Sequence, residues 1–79
     1  MSRNWEAGGT DGGLHSVFLC VMNTTAMEAA QMAVGRARDK YGTSENVTRW
    51  RFFVRQRGEV STTRHFRVGA NGRAVRVDD

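Results

Sequence analysis

Seventy-nine residues with one cysteine, no proline and a formal net charge of +4 make a single small domain that cannot carry an internal disulfide. No apolar run is long enough to cross a bilayer, and residues 1–6 lack the apolar core of a secretory signal, so a cytoplasmic location is expected. Every basic residue except Lys40 is arginine, and residues 49–77 hold Arg49, Arg51, Arg55, Arg57, Arg64, Arg67, Arg73 and Arg76 against Glu59 alone. A planar guanidinium suits carboxylates, phosphates and base edges, although a GC-rich genome, in which arginine codons are common, would give the same bias.

Residues 1–13 are expected to form a flexible N-terminal segment, because residues 7–13 hold four glycines and no apolar anchor. Trp5 could pack back on the domain from a short strand at residues 2–6. A single domain then occupies residues 14–79. Its first strand, residues 15–22, places Val17, Leu19 and Val21 on one face and Phe18, Cys20 and Met22 on the other. Apolar residues on both faces call for cover on both sides, and also allow a homodimer through this strand.

A helix is predicted over residues 26–41. Thr25 and Glu28 have the spacing of a capping box, in which Glu28 reaches back to the cap amide. Met27, Ala30, Val34, Ala37 and Tyr41, broadened by Ala26 and Ala33, form the expected buried stripe. Gly42 supplies the stop. Gly35 inside the helix is unfavourable by about 1 kcal/mol relative to alanine, a cost that close backbone packing would account for.

The remainder reads as β. Residues 47–56 alternate, with Trp50, Phe52 and Val54 opposed to Arg49, Arg51, Phe53 and Arg55. Residues 62–70 set Phe66 and Val68 against His65 and Arg67. Asn71-Gly72 is a strong two-residue hairpin signal, and a loop of that length pairs Val68 with Val75, Phe66 with Val77, His65 with Asp78 and Arg64 with Asp79. The turn near residues 58–60 must be odd, since an even one would set Val54 opposite Thr63. The expected fold class is therefore α+β, in the order β-α-β-β-β. One helix packs on a mainly antiparallel four-stranded sheet, with the first strand parallel to the second. Val34, Trp50, Phe52, Phe66 and Val75 should be buried between the layers.

If the turn at residues 58–60 holds three residues, these registers align Arg51, Arg67 and Arg76 across three strands on the face away from the helix. Arg49, Arg55 and Arg57 flank the row, with Phe53 and His65 beside it. Like charges opposed in a sheet are destabilising, so such a row fits a surface that meets anions. The partner could be an acidic protein surface or a nucleic acid. A merely solvated basic face is the plain alternative. No catalytic or metal-binding constellation accompanies it, and no cofactor is expected. His15, His65 and Cys20 lack ligand spacing, no nucleophile completes a His65–Asp78 pair, and the N-terminal glycines form no phosphate-binding loop.

The stretch from Phe18 through Thr25, Glu28, Ala29, Ala30, Tyr41 and Gly42 to Val47, Thr48, Arg49, Trp50 and Arg51 passes from strand to capped helix to strand. In that pattern, which covers about half of the chain, it resembles small phage-encoded host-takeover proteins. These include the RNA-polymerase inhibitors of T7-like phages and, in size, the anti-CRISPR proteins. The resemblance implies a non-enzymatic binding protein, phage- or mobile-element-encoded. Such a protein would inhibit a host nucleic-acid-handling complex (a CRISPR effector or RNA polymerase) by protein–protein contact. No functional residue transfers from the family. A nucleic-acid-binding module using the same basic face is the alternative reading.

Overall fold

The computed structural model describes residues 3–42 and 47–77. In chain order it contains β1 (Arg3–Thr10), β2 (Ser16–Thr24), α1 (Ala26–Tyr41), a single 3-10 turn (Val47–Arg49), β3 (Arg51–Gln56), β4 (Glu59–Val68) and β5 (Ala74–Val77). The strands form one antiparallel sheet in the order β2-β1-β3-β4-β5, and α1 covers one of its faces. The α+β class stands, with five strands where four were expected. Strands β2 and β3 do run in the same direction, as a helical crossover requires. They are not neighbours, because β1 lies between them and is antiparallel to both.

The inserted strand comes from the stretch expected to be flexible. Trp5 and Ala7 anchor it on the helix side, both buried, and the Trp5 indole Nε1 donates to the Thr24 carbonyl at 3.0 Å. Gly8 pairs with Phe18 and Phe53, and Gly9 with Val17 and Phe52. A Cβ on Gly9 would sit 2.4 Å from the Phe52 ring, and one on Gly8 would sit 2.7 Å from the Val17 carbonyl oxygen. These glycines let aromatic rings lie against the backbone of a central strand.

Helix α1 has the predicted bounds. Thr25 is the N-cap, and its Oγ1 accepts the Glu28 N–H at 3.2 Å. The Glu28 carboxylate accepts the hydroxyls of Thr24 and Thr25 in place of the cap amide. Gly42 closes the helix with φ 76° and donates to the Arg38 carbonyl at 2.8 Å. The buried stripe is Ala29, Ala30, Ala33, Val34 and Ala37. Met27, expected inside, is 44% exposed, because the helix is rotated to lay its alanines on the sheet. Nothing lies within 4 Å of where a Gly35 Cβ would project, so close packing does not explain that glycine.

Trp50, Phe52, Val54, Phe66 and Val34 form the centre of the core. Trp50 precedes β3 instead of lying within it, with Tyr41 and Phe52 at ring-centroid distances of 5.4 and 6.0 Å. Among the described residues its Nε1 meets no hydrogen-bond partner.

The two later hairpins differ from expectation in opposite ways. Between β3 and β4 the pairing is the expected one, Phe52 with Phe66 and Val54 with Arg64. The connection reaches it by a two-residue turn, Arg57-Gly58, followed by an irregularity in β4. There the Thr62 hydroxyl accepts the Gln56 N–H at 2.8 Å and donates to the Glu59 carbonyl at 2.6 Å. A side chain thus replaces a ladder partner, and the parity argument is met by the bulge instead of the turn.

Between β4 and β5 the register is one residue away from expectation. Gly69 donates to the Arg73 carbonyl at 2.8 Å, enclosing the three residues Ala70, Asn71 and Gly72. Gly72 takes φ 81°, a left-handed position that favours glycine and suits a three-residue bulged hairpin. Val68 therefore pairs with Ala74, Phe66 with Arg76 and His65 with Val77. A one-residue slip exchanges the faces of a strand. Ala74 is 6% exposed and Val75 is 49% exposed, contrary to the burial expected for Val75. The contacts expected for Asp78 and Asp79 lie outside the described residues.

Candidate binding face

The face of the sheet opposite α1 has no element over it among the described residues. Its central row is read directly from the registers: Phe18, Gly8, Phe53, His65 and Val77 are successive cross-strand neighbours from β2 to β5. Gly8 has no side chain to separate its neighbours, so the Phe18 and Phe53 rings meet across it with centroids 6.4 Å apart. Phe18 is nevertheless 54% exposed, and Met22 on the same strand face is 68% exposed.

A second row lies toward the Thr10 end of β1. Thr10 pairs with Arg51, and the pairing of Phe52 with Phe66 brings Arg67 alongside Arg51. Arg67 then pairs with Val75. Both arginines are exposed, and neither has an acidic partner among the described residues. Together with His65 and Val77 they line a shallow hollow of about 330 Å³. A neighbouring hollow of about 340 Å³ is bounded by Arg51, Phe53, Arg55, Thr63 and His65.

The row on the other side is electrically closed. Glu6 lies between Cys20 and Arg55, and Arg55 Nε donates to Glu6 Oε1 at 2.7 Å with both side chains partly buried. The Arg55 guanidinium carbon is also 5.5 Å from the Phe53 ring centroid. Arg55 thus braces Phe53 and adds little free charge to the surface.

Of the residues singled out from sequence, Arg51, Phe53, Arg55, His65 and Arg67 share this face. Arg49 lies in the 3-10 turn before β3, and Arg57 lies in the β3–β4 turn, where its N–H donates to the Asn4 carbonyl at 3.1 Å. Arg76 pairs with Phe66, which is buried on the helix side, so the register removes it from the proposed row. The three-arginine alignment is therefore a pair. Sequence reading missed Glu6, Val75 and Val77 as members of the face, and it set Phe18 on the side away from the helix without joining it to Phe53. Only a strand assignment for residues 3–10 would have exposed the roles of Glu6 and Phe18.

Away from this face, the β1–β2 turn is held by Asp11. Its Oδ1 accepts the Gly13 and His15 N–H groups at 2.7 and 3.3 Å, and its Oδ2 meets His15 Nδ1 at 3.0 Å. The Gly13 amide, and then the His15 side chain, hold the Asp11 carboxyl below its ordinary pKa. The His15 ring continues into an edge contact with Tyr41, centroids 4.7 Å apart.

Among the described residues no group of three or more His, Cys, Asp or Glu could hold a metal ion, and no helix is long and apolar enough to cross a membrane. Comparison with known protein families, curated proteins and solved structures gave no match.

Proposed function

We propose that this protein is a non-enzymatic binder that engages a protein partner through the open face of its sheet. The observation that carries the reading is the composition of that face. Phe18, Phe53 and Val77 form an exposed or half-exposed apolar row, bordered by Arg51 and Arg67, which meet no acidic partner among the described residues. Aromatic, methionine and arginine side chains around an apolar centre are the residue types that dominate protein interfaces. The partner that fits is an apolar patch edged with carboxylates, which would be steered by the arginines and held by the aromatics. The target class, a CRISPR effector or RNA polymerase of a host bacterium, rests on the pattern resemblance to phage-encoded inhibitors.

One observation favours a second reading. Phe18, Phe53 and His65 are aromatic neighbours along one row beside two cations, an arrangement on which unpaired bases could stack. The charge is thin for that role, because Arg55 is neutralised by Glu6 and Arg76 is on the other side.

The deciding experiment compares Arg51→Glu/Arg67→Glu with the control Arg36→Glu/Lys40→Glu on the helix. Both are assayed against purified RNA polymerase, a purified CRISPR effector and random single-stranded DNA and RNA across a salt series. The proposal expects the sheet pair to abolish binding to a protein target while the helix pair retains it. Tight binding to the oligonucleotides that weakens steeply with salt would establish the nucleic-acid reading instead. Equal losses in both variants would reduce the face to net charge.

A further inference from the structure

The two edges of the sheet are finished differently. At one edge, β5 is four residues long, carries Arg76 and is flanked by Arg73. The Gly69–Arg73 bond makes that pair a hydrogen-bonded one, so the Ala74 N–H points away from β4. Gln31 of the helix takes it up, with Oε1 at 3.1 Å. At the other edge, β2 is nine residues long and contains no charged residue and no proline. These are the devices that normally keep an edge from pairing with another chain.

The direction of the free groups on β2 follows from the β1–β2 turn. Asp11 N–H bonds to the His15 carbonyl, so the alternation of an antiparallel ladder turns the backbone groups of Ser16, Phe18 and Cys20 outward. The Ser16 carbonyl accepts the Tyr41 hydroxyl at 3.2 Å, which agrees with that alternation. No described element takes the outward groups of Phe18 and Cys20.

We propose that β2 is a self-association edge, pairing antiparallel with β2 of a second copy about a two-fold axis at Leu19. Phe18 and Cys20 of each copy then exchange backbone hydrogen bonds with Cys20 and Phe18 of the other. The sequence around the axis is nearly palindromic: Val17, Leu19 and Val21 share the helix-side face, so Val17 meets Val21 of the copy and Leu19 meets itself. That self-matching, on a strand without charge, selects a second copy over a foreign segment. Like charges are not opposed despite the net charge of +4, because the adjoining Glu6–Arg55 pair is closed within each chain. The product is a ten-stranded sheet, twice the five of one chain, with two open faces side by side. It is independent of what those faces bind.

The test uses the whole chain. Sedimentation equilibrium should give twice the chain mass at high concentration. Amide exchange at Phe18 and Cys20 should slow as concentration rises. Cys20→Pro removes an outward N–H and leaves the β1 ladder intact. It should raise the dimer dissociation constant by at least about tenfold, from two lost bonds of about 1 kcal/mol each. Should Cys20→Pro fail to fold, Cys20→Lys sets charge at the seam and should dissociate the dimer likewise, while Cys20→Ser should keep it. A wild-type monomer at every concentration overturns the proposal. So does a dimer that leaves those two amides unprotected, or one that persists in both the proline and the lysine variant.

Discussion

Two glycine pairs lie close together near the start of the chain and behave oppositely. Gly8 and Gly9 are buried in β1, with a phenyl ring or a carbonyl oxygen where a Cβ would go, whereas Gly12 and Gly13 lie exposed in the β1–β2 turn. The composition of the two pairs is the same. What separates them is the register that brings Phe52 and Phe53 across from Gly9 and Gly8. A glycine in a strand thus takes its meaning from the residue opposite, which may be remote in sequence.

The comparison breaks most severely from the aromatic side. Phe52→Ala removes a ring that is 1% exposed and uncovers Gly9. A loss of about 3–5 kcal/mol is expected in denaturant unfolding, enough to leave much of so small a domain unfolded. Unchanged stability would mean that the ring does not cover β1. Gly9→Ala, the complementary change, forces a methyl against a ring that has no room to move and should cost about 1–3 kcal/mol. Combined with Phe52→Ala it should cost less than the sum of the two, and strict additivity would show that the two positions do not touch.

Smaller effects sharpen the contrast. Gly12 has φ 85° and open space around it, so Gly12→Ala should cost about 1 kcal/mol from backbone strain alone, with no coupling to Phe52. Gly35 has neither a positive φ nor a neighbour within 4 Å of a Cβ. Gly35→Ala should therefore raise stability by about 0.5–1 kcal/mol, visible as a higher melting temperature.

The smallest effect concerns Asp11. Because its pKa is lowered in the fold by the Gly13 amide and then by His15, its contribution is present above the ordinary carboxylate pKa. That contribution is lost as pH falls through the lowered value. An NMR titration should place the Asp11 midpoint below that of Asp11 in the unfolded chain, and coincident midpoints would remove the capped turn from the account.

Local signals carried well from sequence to structure where they were local in cause. The cap at Thr25, the stop at Gly42 and the alternation of Phe52, Val54 and Phe66 needed only their own neighbourhoods. Strand β1 was legible only at its Trp5 end, because an Ala-Gly-Gly run is a strand only when rings from β3 are laid against it. The β5 register was misread for a related reason. Asn71-Gly72 suits a two-residue turn, but Gly72 serves as the left-handed residue of a three-residue loop, and that single step moved Arg76 off the candidate face. The five site residues that did converge, Arg51, Phe53, Arg55, His65 and Arg67, come from the two strands whose pairing was read correctly.

The glycine-rich strand between β2 and β3 also orders events on the ribosome. Residues 8 and 9 leave the exit tunnel before Phe52 and Phe53 do, so the β1–β2 hairpin emerges with one flank of β1 uncovered and its tryptophan without a core. It must wait for the helix and then β3 to emerge before β3 can dock. During that interval the nascent chain exposes β2 as well, the kind of unpaired strand edge at which partly folded chains associate.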